Sequence, residues 1–143
     1  MIVNQISVFV ENRPGRLAEI TGILAAGGVD IRALSIADTS DFGILRLIVN
    51  DPERTDKLLR EAGVTSGKTA VIAVKLADEP GSLHKILTIL SNHDVVVEYA
   101  YAFITRKDSD AYVILKVANN DEAIAMLTAE GQQMLTPEEF YAL

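Results

Sequence analysis

The sequence predicts an α+β fold made of two tandem β-α-β-β-α-β units, each an antiparallel four-stranded sheet with both helices on one face. Three observations carry that expectation. Alternating apolar runs of strand length are interleaved with runs spaced three and four apart, in the order strand, helix, strand, strand, helix, strand. The whole order then recurs. A shift of 66 residues lays Ile6, Val8, Ile20, Ile23, Leu24 and Val29 on Ile72, Val74, Ile86, Ile89, Leu90 and Val95. The same shift lays Pro14, Gly15 and Leu17 on Pro80, Gly81 and Leu83, so one turn stands at the same place in both copies. The boundary this repeat implies gives one domain over 1–69 and a second over 70–143.

The first strand is the alternation from Ile6 to Val10, and Leu17, Ile20 and Leu24 then share one helical face. Gly27-Gly28 ends that helix, since glycine accepts the conformation at a helix C-terminus. Val29 to Ile36 is β-branched and apolar enough for a second strand. Thr39-Ser40-Asp41 supplies a turn, and Ile44 to Val49 a third strand. Asp51 and Pro52 are a cap and first residue for a second helix, which Gly63 stops. Between Gly63 and Val71 there is room for one strand and none for a flexible linker. The fourth strand should therefore run directly into the first strand of the second copy, holding the halves rigidly. Strands near Val95–Thr105 and Ala111–Val117 follow, joined by a hairpin over Thr105–Asp110 two residues longer than its counterpart. A helix over Asp121–Glu130, a strand within Gly131–Thr136 and a short helix over Pro137–Leu143 complete the order.

Composition narrows the function. Of 143 residues, 49% are apolar, ample for folded cores. There is no cysteine, which excludes disulfides, thiolate nucleophiles and zinc–sulfur sites. A net charge of −7 without a basic stripe disfavours nucleic acid. No apolar run approaches the roughly 18 residues of a membrane span, and no signal-like segment opens the chain, so a soluble cytoplasmic protein is expected. His84 and His93 lie nine residues apart, on opposite faces of one helix at about 100° per residue, so they do not share a metal. No nucleophile triad, phosphate loop or paired-carboxylate pocket is present. Neither a catalytic residue nor a cofactor is expected.

The turn Asn12-Arg13-Pro14-Gly15-Arg16-Leu17 is the candidate site. Proline is tolerated in a first helical turn, and glycine lets the backbone approach a ligand. Helix-opening N–H groups lack helical partners and carry partial positive charge, which suits a carboxylate. Amides of Gly15, Arg16 and Leu17 can hold an α-carboxylate while Asn12 or Asp30 accepts from an α-ammonium. Arg16 can add a charge-assisted bond or select an acidic side chain. In the second copy Arg16 is replaced by Ser82 and Asp30 by Val96, so the two sites are not equivalent.

Asn12-Arg13-Pro14-Gly15-Arg16-Leu17 with Gly28-Val29-Asp30-Ile31, and Asp78-Glu79-Pro80-Gly81-Ser82-Leu83 with Asp94-Val95-Val96-Val97, resemble the ACT domain in both copies. The resemblance spans nearly the whole chain and is closest to small proteins made of two tandem ACT domains without a catalytic domain. It implies ferredoxin-like domains whose sheets pair side by side, and a regulatory protein that binds a small amino acid where the two domains meet. By matching position, the ligand-binding residues would be Asn12, Arg13, Gly15, Arg16, Leu17, Asp30 and Ile31 in the first copy. In the second they would be Asp78, Glu79, Gly81, Ser82 and Leu83. Implied partners are an amino acid, an enzyme signalled to, and a second copy of the chain in a dimer.

Three alternatives are set against this reading. A stand-alone regulatory subunit, similar to the acetolactate synthase small subunit, requires a catalytic partner. An RNA-recognition domain has the same element order but needs basic surroundings and sheet aromatics that the first half lacks. A small enzyme such as an acylphosphatase needs an anion-cradling loop with Arg and Asn, and the second copy lacks both arginines. Two further features have plain explanations. Asp51, Glu53, Asp56 and Glu61 fit a solvated helix face, and Tyr99, Tyr101 and Phe103 fit packing along one strand face.

Overall fold

A computed structural model describes residues 1–104 and 110–143. The elements are β1 (Ile2–Glu11), α1 (Arg16–Ala26), β2 (Ile31–Asp38), β3 (Phe42–Val49), α2 (Pro52–Glu61), β4 (Ser66–Ala77), α3 (Ser82–Asn92), β5 (Val97–Ile104), β6 (Asp110–Val117), α4 (Asn120–Ala129), β7 (Gln133–Met134) and α5 (Pro137–Tyr141). The chain divides into a first unit, Asn4–Thr69, and a second, Met1–Val3 with Ala70–Leu143. β4 is one uninterrupted strand that contains the change of unit at Thr69/Ala70. The expected hairpin over Thr105–Asp110 lies, but for Asp110, outside the described residues.

In the first unit the strand order is β2-β3-β1, and the segment entering β4 flanks the other side of β1. The Phe9 N–H donates to the Thr65 carbonyl at 3.0 Å there, and the Ser7 and Thr69 hydroxyls lie 2.9 Å apart. β1 and β3 are antiparallel with Ile6, Val8 and Val10 opposite Leu47, Leu45 and Gly43. Residues opposite each other share a sheet face, so this register fixes the core. Ile6, Val8, Val10, Leu45, Leu47 and Val49 are buried against Ile20 and Leu24 of α1 and Leu59 of α2. The other face carries Phe9 and Phe42, whose ring centroids lie 4.8 Å apart and which stay partly exposed.

The second unit repeats the plan in the order β7-β4-β6-β5. Its core comprises Ile72, Val74, Val113, Leu115 and Val117, covered by Ile86, Ile89 and Leu90 of α3 and Ala123 and Leu127 of α4. The last strand is only two residues long and pairs Met134 and Gln133 with Val74 and Lys75. Beyond it, α5 lays the fully buried Phe140 against Phe103, which also stacks on Tyr112 at 5.4 Å. Phe103 of the expected aromatic stripe thus serves packing. α5 holds together despite its length because Thr136 and Glu139 form a reciprocal capping box.

The acidic residues of α2 have structural roles too. Asp51 caps the helix by accepting from the Arg54 N–H at 3.0 Å, and Glu53 accepts from Lys68. Asp56 accepts from the Ser66 hydroxyl and pairs with Arg60, while Glu61 faces Lys57. Leu24 is fully buried and Leu34 is 57% exposed. Leu24→Ala should therefore cost about 2–5 kcal/mol through lost burial and the cavity left behind. Leu34→Ala should stay within about 0.5 kcal/mol of the parent. Urea midpoints of the two variants check this contrast.

Candidate functional site

The two repeated turns set how their helices begin. Gly15 and Gly81 are the N-cap residues of α1 and α3, with φ of 80° and 94°. In that left-handed region a Cβ is strained, which accounts for glycine at both positions. Neither helix has a side-chain cap. The other three do: Asp51 on α2, Asn119 on α4 and Thr136 on α5. In α1 the Arg16 N–H turns back to the Arg13 carbonyl at 3.3 Å, leaving Leu17 and Ala18 as the first-turn amides past the glycine.

A cleft of about 230 Å³ opens at this turn. Glu11, Asn12, Arg13 and Gly15 form its loop side, and Leu17 and Ala18 its helix side. Val10, Ile36, Asp38 and Gly43 form its strand side. These strand residues meet because the antiparallel register brings the end of β2 back to the end of β1: Val10 is opposite Gly43, and Gly43 opposite Asp38. Asn12 is fixed by its own backbone N–H to the Asp41 carbonyl at 2.9 Å and by its side-chain amide to the Ser40 carbonyl at 3.2 Å. The Asn12 Oδ1 and the Asp38 carboxylate are thus acceptors at the rim, while Val10, Leu17, Ala18 and Ile36 give an apolar wall.

The arginines are committed to carboxylates. Arg13 donates through both terminal nitrogens to Glu19, at 3.2 and 3.1 Å, and through Nε to Glu11 at 3.1 Å. Arg16 donates to Glu19 at 3.0 Å and lies 3.9 Å from Glu11. The hydrogen bond from Arg13, then that from Arg16, lowers the Glu19 carboxyl below its ordinary value. Its bonds to Glu19 and Glu11 in turn raise the Arg13 guanidinium. Two cations and two anions cancel. Arg16 does not line the cleft, and its half-buried side chain packs with Nε unpartnered, so selection of an acidic ligand by Arg16 finds no support in this geometry.

Asp30 and Ile31 stand apart from the turn. They lie at the start of β2, and Asp38, at its far end, lines the cleft; seven residues at about 3.3 Å each put some 23 Å between the two ends. The Asp30 N–H donates to Asn50 Oδ1 at 3.0 Å, and its carboxylate pairs with Arg32. Within the unit, α1 must run the length of the sheet before β2 begins, so the start of β2 is carried to the opposite end. Matching by sequence position did not point to Asp38 and Ile36, which line the cleft. The signal for them was the Thr39-Ser40-Asp41 turn, which returns the chain to the loop.

In the second unit Glu79 and Ser82 line a cleft of about 280 Å³; Asp78, Gly81 and Leu83 do not. Lys75, Leu76, Ala77, Lys85 and Asp110 complete one side, and Gly131, Gln132 and Gln133 the other. Lys75 pairs with Asp110 at 2.7 Å. Among the described residues no cluster of three metal-binding side chains occurs, and no helix is long and apolar enough to cross a membrane.

The family described as an ACT domain pair matches residues 1–142. A crystal structure of a protein from Bacteroides thetaiotaomicron is 36% identical, with a TM-score of 0.93, and covers 100% of this chain and 98% of its own. The ligand-free regulatory subunit of aspartate kinase from Thermus thermophilus is 12% identical, with a TM-score of 0.61 over 90% of this chain and 94% of its own. The corresponding subunit from Thermus flavus is 17% identical, with a TM-score of 0.57 over 90% and 92%. At those identities the two subunits show a shared fold. A search of curated proteins finds no match.

The ion cluster yields a pH prediction. A carboxyl lowered on folding contributes stability that is complete above its unfolded value and is lost as pH falls through the folded one. Carboxyl carbon NMR should therefore show Glu19 titrating below the ordinary glutamate range. In Arg13→Met it should move back toward that range.

Proposed function

The chain belongs to the ACT domain-pair family, and we propose that it is a non-enzymatic regulatory protein that binds an amino acid at the turn between β1 and α1. One observation carries this reading. The two helices that open on the repeated turn are the two without side-chain caps, and each opens beside a cleft. A capping side chain would occupy the place where an α-carboxylate can accept from first-turn amides. In the first unit those donors are the Leu17 and Ala18 N–H groups. The Asn12 Oδ1 and Asp38 then receive the α-ammonium, and Val10 and Ile36 face a small side chain. A volume of about 230 Å³ lies below the ~300–1,000 Å³ of pockets for drug-sized molecules, which favours a small ligand.

Regulation requires that the ligand bind one arrangement of the protein better than another. The fold shared with the Thermus aspartate kinase regulatory subunits supports a second, compatible reading, in which the chain signals to an enzyme of amino-acid metabolism. Co-purification of such an enzyme with the tagged chain, strengthened or released by amino acid, tests that reading.

Binding itself is tested by thermal shift against the common amino acids. A ligand at ~100 times its dissociation constant adds roughly 2.7 kcal/mol, which raises the melting temperature by several degrees. No shift with any amino acid contradicts the proposal. Asp38→Asn removes one charge-assisted bond worth about 1.5–3 kcal/mol, so affinity should fall roughly ten- to a hundredfold. Calorimetric titration reads that change, and unchanged affinity removes Asp38 from the site.

A further inference from the structure

The two units treat the sheet face opposite their helices differently. In the second, Phe103 on β5 stands opposite Tyr112 on β6, and α5 sets Phe140 edge-on to Phe103 at 5.4 Å. Phe140 is fully buried and Tyr112 only 4% exposed. In the first unit the matching pair is Ala37 on β2 and Ile44 on β3, and Ile44 is 41% exposed. Phe9, opposite Ile44 on β1, and Phe42, two residues before it, are as exposed as Ile44. α5 follows β7, whereas the first unit passes from α2 directly into β4. Among the described residues it therefore has no segment that returns over this face as α5 does.

The side chains follow this difference. At the edge of its covered face the second unit carries the Lys75–Asp110 ion pair, which water tolerates. At the matching positions the first unit carries Phe9 and Phe42, in contact with ring centroids 4.8 Å apart. Apolar residues exposed singly are ordinary, but two touching phenylalanines beside an isoleucine make a contiguous patch, and such patches mark interaction surfaces.

The patch also has an order. Along β3, Phe42, Ile44 and Arg46 are alternate residues and share this face over about 13 Å. Its two ends are complementary, because a guanidinium is attracted to the face of an aromatic ring. A two-fold axis in the plane of contact, crossing the strands at Ile44, sets Ile44 on its own copy. The same rotation places Arg46 over Phe42 of the second chain, and does so twice by symmetry. Beside this strip β2 contributes only Ala37 and Ser35, whose small side chains admit a second sheet at the ~10 Å spacing of packed sheets.

We propose that this face of the first unit is where a second copy of the chain docks, sheet face on sheet face, with Phe9, Phe42, Ile44 and Arg46 as its contacts. A strip about 13 Å long and three strands wide is smaller than a standard interface, so the dimer is weak and depends on concentration. Nothing in it depends on amino-acid binding, and its failure leaves the proposed function standing.

The test is sedimentation equilibrium of the full chain from micromolar to millimolar concentration, for the parent and four variants whose melting temperatures establish that they fold. Phe9→Lys with Phe42→Asp gives the first unit the second unit's ion pair at the matching positions, and should weaken the dimer at least tenfold. Arg46→Gln should weaken it severalfold, while Arg46→Lys, which keeps the cation, should retain most of it. Leu34→Ser alters an exposed residue opposite the buried Leu47, hence on the other sheet face, and should leave the dimer unchanged. A parent that stays monomeric throughout overturns the proposal. Undiminished dimerisation in the double variant or in Arg46→Gln also overturns it. A dimer lost in Leu34→Ser and kept in the double variant runs edge to edge through β2, which overturns it too.

Discussion

The structure depends on a glycine held in the left-handed region between a strand and a helix. With φ at 80°, Gly15 turns the chain sharply enough for α1 to begin within five residues of the end of β1, and it brings no side chain over the helix end. Gly81 does the same for α3. The other helices begin in extended backbone, where Asp51, Asn119 and Thr136 fold back to cap them. Two ways of starting a helix thus set the repeated turns apart from the other termini. A cap completes the helix within itself, whereas the glycine start of α1 leaves Leu17 and Ala18 of its first turn beside the cleft.

Duplication supplies an internal control on every position. The buried residues of the two cores correspond almost one to one, since β1 and β4, and β3 and β6, must each face two helices. Away from the cores the copies have diverged by chemistry. On the face opposite the helices, Phe9 and Phe42 touch in the first unit, and the matching positions hold the Lys75–Asp110 ion pair in the second. At the turns, a closed network of two arginines and two glutamates gives way to Glu79, Ser82 and Lys85 around an open cleft. The backbone plan is common, and the side chains set on it at the turns differ.

Much of the fold was legible because burial imposes period. A residue on a half-buried strand alternates and one on a half-buried helix recurs at three and four, so Ile6, Val8, Ile20 and Leu24 announced their places. β7 was less legible: two residues carry no period, and a short strand is defined only by its pairing with Lys75 and Val74. The turns of the candidate site were legible for the same reason glycine is needed in them. Its far wall was not. Ile36 and Asp38 arrive through strand register, a long-range property that local pattern does not carry. Asp30 and Ile31 lie at the other end of β2 within the unit, since the length of α1 decides which end of the sheet they occupy. Arg16 was a ligand candidate as an isolated cation, yet Glu19 stands three residues on, within reach on the same helix face.

The central claim is that first-turn backbone amides, left uncapped by a glycine start, receive the carboxylate of an amino acid. The most direct measurement compares an amino acid that binds the chain with its α-carboxamide, which has the same side chain and ammonium but no carboxylate charge. Binding is read at the backbone amide signals of Leu17 and Ala18. The account predicts that these signals move with the amino acid and that the carboxamide binds at least tenfold more weakly without moving them. Equal binding of the two compounds would contradict it.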